Sequence, residues 1–273
     1  MVSSLAEELQ LVDLPTGKPH ISFSEYRDWK DCSYRHKLKH VNKIDLGRPG
    51  PLLDFGTAVH AACEQFLKTR TIDATIATKM ITTAWDKNKG LPGFEPETVP
   101  VFQNEAVNIL ADVPAFMDEV FPNWEYVDAE HQLYEIVEGQ PHAFKGFIDG
   151  IIRTKDKKKD LIWLIDWKTT SWGWDMRKKT DETVRTQLTL YKTFWARKMN
   201  VDPKDVRCGF VLLKRSAKPG RHCELVPTSV GPVTSAKSLK VINNMLSSVK
   251  KGIALKNRSS CTYCEYRGTE HCT

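Results

Sequence analysis

Two carboxylates and one lysine have the types and spacing for phosphate chemistry. Asp149 lies in the segment GFIDGII and Asp166 in LIDWKT, at strand-like positions that flank a turn. A hairpin would bring both carboxylates to one end of a sheet. Two facing carboxylates can bind a hard cation such as Mg²⁺, which commonly completes its shell with water and substrate phosphate.

Lys168 follows Asp166 by two positions, so the two side chains share one face of a strand. Trp167 points to the other face and offers only its backbone carbonyl as a metal ligand. Lys168 could then position an attacking water or stabilise phosphate charge. An Asp-x-Lys triplet also occurs by chance on solvated strand faces, so the triplet alone does not identify a catalytic site.

Three further residues are ambiguous when each is taken singly. His60, in FGTAVHAACEQF, has the apolar neighbours of a histidine satisfied within a core. Gln187 and Tyr191 are one helical turn apart, which is also the spacing of an ordinary helix surface.

Residues 1–120 predict mainly helical structure. After a loosely ordered tail over residues 1–20, Ser22 and Glu25 form a capping-box pattern for a helix that runs to about His40 and includes Cys32. Helical spacing recurs from about Phe55, over 72–85 and over 102–120, where Pro114 should kink or split the helix.

The hydrophobic period changes to two after residue 120. Strands are predicted over 124–137, 147–152 and 161–168 as an antiparallel meander, with a polar turn at 155–160. A helix over 183–199, a buried strand over 207–214 and a helix over 236–249 follow. We predict one composite domain over 21–273, with a mainly helical part at 21–120, a catalytic core at 121–215 and a C-terminal part at 216–273.

Composition and charge narrow the class of protein. The chain has 273 residues, 41% hydrophobic and 27% charged, which excludes collagen-like and wholly disordered classes. A net charge of +6 permits a polyanionic partner without requiring one. Glu7 and Glu8 stand where a secretory signal needs a basic start, and no apolar run reaches the ~18 residues of a membrane span. We expect a cytoplasmic protein, or one of the host cytoplasm if a virus encodes it.

Four segments in a fixed order carry a family resemblance. FGTAVHAACE, GFIDGII, LIDWKTT and QLTLY resemble the RecB-type branch of the PD-(D/E)XK nuclease superfamily, which includes AddB and the CRISPR-associated adaptation nucleases. The resemblance runs from roughly Ser22 to the C-terminus. It implies an α/β fold with a restriction-endonuclease-like core, in which a mixed sheet is flanked by helices.

The resemblance also implies roles for individual residues. It implies that the metal ligands are His60, Asp149 and Asp166, with the Trp167 carbonyl beside them. It also implies that Lys168 is catalytic, together with Gln187 and Tyr191 on the following helix. Glu130 resembles an acidic position on the first core strand of the family, although a strand glutamate is also typical of a polar face. The implied cofactor is Mg²⁺ or Mn²⁺.

The cysteines at the C-terminus form a local cluster. Cys261, Cys264 and Cys272 lie within twelve residues, a spacing that could hold metal. The resemblance implies that Cys32 joins them around a [4Fe-4S] cluster in a C-terminal iron-sulfur segment. Zinc is the alternative metal, and His271 is the alternative ligand to Cys272. Cys63, Cys208 and Cys223 receive no function.

The segment after Lys168 combines aromatic and basic residues. Bases stack on aromatic rings and phosphates meet cations in single-strand binding, so the segment predicts a nucleic-acid contact through Trp172, Trp174, Arg177, Lys178 and Lys179. A solvated basic loop with a tryptophan packed inward is the alternative. A second basic segment lies at 214–221.

Together these patterns predict a metal-dependent deoxyribonuclease, an exonuclease by expectation, that acts in DNA recombination, repair or replication. The expected partners are single-stranded DNA or duplex ends and a separate helicase or recombination protein, because no phosphate-binding helicase loop is present. The alternatives are a nuclease for RNA or a specific duplex structure, and a non-catalytic DNA-binding or partner-binding module that retains the fold.

Overall fold

A computed structural model describes residues 19–47, 50–156 and 159–273. Among these residues, eight α-helices are present: α1 (Phe23–Asp31), α2 (Ser33–His36), α3 (Pro51–Thr69), α4 (Ala74–Lys87), α5 (Val99–Val120), α6 (Met176–Thr180), α7 (Glu182–Lys198) and α8 (Pro232–Lys250). A π-helical turn, Lys37–Val41, continues α2.

One mixed sheet contains the six described strands: β1 (His20–Ser22), β2 (Glu125–Ile136), β3 (Ala143–Asp156), β4 (Lys159–Thr170), β5 (Val206–Lys214) and β6 (Cys223–Thr228). The predicted meander β2-β3-β4 is antiparallel, and β5 pairs with β4 in parallel. The α/β fold with a mixed sheet flanked by helices is therefore confirmed.

The two edges of β3 are used differently. Strand β2 pairs along one edge over nearly the whole length of β3. On the other edge, β1 pairs with residues 143–145 and β4 pairs with residues 150–156. Residues 146–149 of β3 and 166–170 of β4 therefore have no ladder to each other, and the two strands diverge there. We call this gap the fork.

Two apolar clusters sandwich the sheet. Helices α3, α4 and α5 bury one cluster against the odd-numbered residues of β4, Trp163, Ile165 and Trp167. Helices α1, α7 and α8 bury the other against the opposite face, which includes Leu164 and Phe210. This alternation follows from the two-residue period of a strand. It holds the helices firmly on both sides of the fork.

The first predicted helix is correct at its start and near its end, but the structure divides it at Cys32. The Ser22 hydroxyl accepts a hydrogen bond from Glu25 N–H at 3.2 Å, as the capping box predicts. The helix is interrupted at Cys32, whose backbone is extended, and resumes at Ser33. Helix α5 runs through Pro114 as one element, so the predicted split is not observed.

Three described elements were not predicted: β1, β6 and the short helix α6. The tail predicted over residues 1–20 lies outside the described residues except for its last two, as do the two central residues of the turn predicted at 155–160. No described helix has both the length and the apolarity needed to cross a membrane.

Candidate active site at the fork of the sheet

Asp149 and Asp166 lie at the fork. The β3-β4 ladder ends at the pair Gly150 and Ile165, and the two aspartates are the next residue on each strand. One oxygen of Asp149 accepts a hydrogen bond of 2.8 Å from the Trp167 N–H. Because the N–H and C=O of a strand residue point to the same edge, the Trp167 carbonyl is also directed into the fork.

Helix α3 brings His60 to the same point. His60 Nδ1 lies 3.5 Å from Asp149 Oδ2. Its other nitrogen, Nε2, is buried and has no hydrogen-bond partner among the described residues. Burial, and then the positive charge of Lys168, lower the pKa of His60 to about 3. A neutral imidazole with a free ring nitrogen is the form that binds a metal ion.

Helix α7 brings Gln187 and Tyr191 from the other face of the sheet. The Gln187 amide donates one hydrogen bond of 2.7 Å to Asp166 Oδ1 and another of 3.2 Å to the Tyr191 hydroxyl. Lys168 Nζ lies 2.5 Å from Asp166 Oδ2. Asp166 is therefore held between an amide and an ammonium group.

Burial makes both aspartates costly to ionise. Burial raises the pKa of Asp149 well above its usual range, and the neighbouring charge of Asp166 raises it further. Burial also raises the pKa of Asp166, against the lowering effect of Lys168. Two carboxyls in one buried site are stabilised in their charged form by a cation.

The donor set fits Mg²⁺ or Mn²⁺. Two carboxylates and a backbone carbonyl supply the oxygens that these ions prefer, and the unpartnered His60 Nε2 supplies a further ligand. Within the described ranges, no three His, Cys, Asp or Glu side chains are placed so that they could hold a metal ion as they stand. In this arrangement, protein donors engage the Asp149 and Asp166 oxygens.

Glu130 lies beside the site on β2, and its neighbour Glu64 is a residue that the sequence patterns did not identify. Glu130 has a positive φ of 51°, rare for a residue other than glycine, at the strand position opposite Asp149. Partial burial and the nearby Glu64 carboxylate raise its pKa. Glu64 is one turn from His60 on α3 and pairs with Lys68 at 2.5 Å. The four-residue spacing from His60 was the available signal.

The segment after β4 places its two tryptophans in different surroundings. Trp172 has 68% of its surface exposed, whereas Trp174 is buried and its ring lies 5.1 Å from that of Phe210. Lys178 Nζ lies 4.9 Å from the centre of the Trp174 ring. The Trp174 ring is therefore covered by protein, whereas the Trp172 ring is open to solvent. Of the two, Trp172 is the candidate for stacking on a base.

The basic residues of the same segment also differ. Arg177 and Lys178 are exposed. Lys179 forms an ion pair of 2.6 Å with Glu224, which also pairs with Lys214 at 3.2 Å. Lys179 is thus already paired within the protein, and it fastens α6 to strand β6.

The four predicted cluster cysteines line one cavity of about 550 Å³, and His271 does not line it. Their order in the chain is Cys32, Cys261, Cys264 and Cys272, and all four are free thiols. Cys32 stands at the break between α1 and α2, where its Sγ accepts a hydrogen bond of 3.3 Å from the Asn257 N–H. The structure therefore brings together thiols that are more than two hundred residues apart in sequence.

Of the remaining cysteines, Cys63 and Cys208 are buried and Cys223 is partly buried. Burial raises the pKa of Cys208 and of Cys223 to about 12, and raises that of Cys63 as well. Thiols in such surroundings are inert at neutral pH.

Comparisons with known proteins agree with this fold. Residues 20–269 match the family model of the PD-(D/E)XK nuclease superfamily. The chain is similar to a crystal structure of a Eubacterium rectale protein proposed to be an exonuclease, with 11% identity, a TM-score of 0.55 and coverage of 91% of this chain and 88% of that one. At this identity the similarity concerns the fold. No curated protein sequence matches the chain. Since the family match extends across the sheet, the fork and both flanking helix layers, the chain belongs to the PD-(D/E)XK nuclease superfamily.

Proposed function

We propose that the chain is a metal-dependent deoxyribonuclease of the RecB-like branch, and that it degrades DNA as an exonuclease in recombination, repair or replication. The observation that carries this proposal is the convergence of Asp149, Asp166, Lys168 and His60 at the fork. A fold without activity would not need two carboxyls of raised pKa in one place, one buried and the other largely buried.

In this proposal, Asp149, Asp166 and His60 hold Mg²⁺ or Mn²⁺, and the Trp167 carbonyl faces the same space. The ion would lower the pKa of a bound water and neutralise charge on the scissile phosphate. Gln187 fixes the orientation of the Asp166 carboxylate, and Tyr191 fixes Gln187. The protein thus orients its oxygen ligands before substrate arrives.

Lys168 has a separate task. Its side chain keeps 34% of its surface exposed, although its ammonium group contacts the buried Asp166. The ammonium can therefore donate hydrogen bonds outward, to the attacking water or to a phosphate oxygen, and stabilise the charge that develops during phosphodiester hydrolysis.

The cavity lined by the four cysteines supports a [4Fe-4S] cluster as the second cofactor. Its ligand set is thiolate only, which suits an iron-sulfur cluster. Zinc remains the alternative. The cluster would be structural, because it joins the first helices to the chain end.

Anaerobic purification with iron, sulfide and zinc analysis tests the cluster. Protein with iron and sulfide should be brown, and Cys32→Ala should lose both while Cys208→Ala, in a thiol outside the cavity, should keep them. Zinc in the wild type, or full iron content in Cys32→Ala, would contradict the assignment.

Two alternatives differ in substrate or activity. A nuclease for RNA or a specific duplex would use the same site, and a non-catalytic module would be favoured by a broken motif. Asp149, Asp166 and Lys168 are all present, which favours an enzyme. A separate helicase or recombination protein, in the cytoplasm or a host cytoplasm, would supply DNA ends.

A time course on end-labelled substrates tests the proposed function. We expect wild-type protein with Mg²⁺ or Mn²⁺ to degrade linear DNA and to leave circular DNA largely intact, and to do neither in chelator. Cleavage of circular DNA at an equal rate would replace the exonuclease proposal with an endonuclease. Cleavage of RNA alone would change the substrate, and no cleavage of any nucleic acid would favour the non-catalytic module.

A further inference from the structure

Strongly exposed apolar side chains lie on or just beyond the elements that carry the proposed catalytic residues. Leu53, in the first turn of α3, has 72% of its surface exposed. Trp172, two residues beyond the end of β4, has 68% exposed. Helix α3 also holds His60, and β4 holds Asp166 and Lys168. We call Leu53 and Trp172 the apolar mouth.

Both residues lie at the same end of the fork. Helix α3 runs antiparallel to β4, because its residue Gly56 approaches Thr169 near the end of β4 while Leu67 packs over Gly150 near the start of the fork. Leu53 and Trp172 extend beyond the contact of Gly56 with Thr169. They therefore flank the opening through which a strand would reach the site from this side.

The spacing along each element also directs the mouth toward the site. Leu53 precedes His60 by seven residues, so the two lie on one face of α3, about 10 Å apart along its axis. Trp172 follows Lys168 by four residues, and because the chain bends at 171–172 the two lie at most about 13 Å apart along the chain. A strand that occupies the site would pass these side chains within a few nucleotides.

The segment that carries Trp172 is fastened to the sheet. Arg215 N–H donates to the Thr170 carbonyl at 2.8 Å, and its guanidinium donates to the Ser171 hydroxyl at 2.6 Å. The same guanidinium lies 5.9 Å from the Phe55 ring of α3. Trp172 is thus presented from a braced turn, and the brace also reaches the helix on the other side of the mouth.

We propose that the apolar mouth contacts the unpaired bases of the strand being cut and makes single-stranded nucleic acid the preferred substrate. This inference rests on the proposed function. An exposed tryptophan and leucine gain by burial against base faces, which a single strand offers and a duplex keeps stacked within its helix. Exposed Arg177 and Lys178, in the helix that follows Trp172, supply the positive charge that complements the phosphates.

Binding assays distinguish contacts with the bases from contacts with the sugar-phosphate backbone. In an Asp166→Asn background, which prevents cleavage during the measurement, a fluorescent single strand, the same strand with abasic nucleotides and a blunt duplex are titrated with the full chain. We expect Trp172→Ala and Leu53→Ser each to weaken binding of the intact single strand on the order of tenfold. Binding of the abasic strand and of the duplex should stay unchanged, and Trp172→Phe should retain most of the affinity.

Val233→Ser is the matched control, because Val233 is 82% exposed on α8 and lies outside the site. It should bind all three ligands as the wild type does. An equal loss for duplex and single strand in the mouth variants, an equal loss for the abasic strand, or no loss at all would overturn the proposal. Self-association that Trp172→Ala abolishes, with DNA binding unchanged, would overturn it in favour of a contact between copies.

Cleavage by the chain with its native Asp166 distinguishes this inference from the proposed function. Failure of the nuclease proposal would appear as absent cleavage of every substrate, whatever the mouth variants bind. If only the proposal for the apolar mouth is wrong, cleavage should still depend on metal. Its rates on single strand and duplex should then be equal, and Trp172→Ala should not change them.

Discussion

The Gln187 amide donates a hydrogen bond of 2.7 Å to Asp166 Oδ1, across the boundary between helix α7 and strand β4. This contact fixes the carboxylate that the proposed mechanism needs most. Gln187→Ala should lower kcat on the order of tenfold to a hundredfold, since a hydrogen bond to a charged group contributes roughly 1.5 to 3 kcal/mol, with little change in KM. Steady-state kinetics on a short oligonucleotide measure both. A change confined to KM would show that Gln187 acts on binding instead.

Gly146 is required by the ring of Tyr191. A Cβ at this position would lie 2.7 Å from a carbon of that ring, a distance that forces the ring to move. Gly146→Ala should therefore displace Tyr191, loosen Gln187 and reduce kcat on the order of tenfold or more. Gly231→Ala is the control, because nothing lies within 4 Å of its added Cβ. Equal activity in both variants would show that the Tyr191 ring can shift without consequence.

Lys168→Ala separates catalysis from metal binding. In the proposed mechanism the Lys168 ammonium group stabilises the charge that develops on the phosphate and does not bind the metal ion. The variant should therefore lose cleavage on the order of 10³-fold. Mn²⁺ binding, measured by electron paramagnetic resonance, should persist. Loss of Mn²⁺ binding together with activity would make Lys168 a determinant of the metal site and would require a different division of roles.

Asp28 links the first helices and carries a pH-dependent share of stability. It is fully buried and contacts Lys39 at 3.1 Å and His40 at 2.9 Å. Burial alone would raise its pKa, but His40, Arg35 and Lys39 outweigh burial and lower it to about 2. The stabilisation is therefore present above the ordinary aspartate pKa of about 4 and is lost as pH falls toward 2.

Asp28→Asn should accordingly cost about 3 kcal/mol of unfolding free energy near pH 7, because it removes the buried negative charge that Arg35 and Lys39 pair with. Urea titrations of both proteins at a series of pH values measure the cost. The difference should shrink as pH falls below about 4. A difference independent of pH would show that Asp28 acts through packing and not through charge.

Local sequence patterns were sufficient to predict the helices and strands that the structure confirms. Helix α3 and strand β4 have strong periods, and the Ser22 cap marks its helix start, because these signals depend on neighbouring residues. The break at Cys32 has no such signal. It depends on contacts with the chain end, such as the hydrogen bond of 3.1 Å from Tyr34 N–H to the Leu255 carbonyl.

The site was predictable in its residue types but not in its architecture. The order of the motifs predicts Asp149, Asp166 and Lys168 as candidate site residues, and the structure places them together, whereas the fork depends on how β1 and β4 divide one edge of β3. A three-residue strand carries too little pattern to be recognised. Burial of Trp174 against Phe210 likewise depends on a tertiary contact that composition does not reveal.

The most direct test of the account compares wild type and Asp166→Ala on end-labelled single-stranded DNA with Mg²⁺, Mn²⁺ or chelator, after circular dichroism has shown that both are folded. We predict metal-dependent cleavage by the wild type and a loss on the order of 10³-fold or more in the variant. Cleavage by the wild type in chelator, or near-normal cleavage by Asp166→Ala, would contradict a metal-dependent nuclease site at the fork.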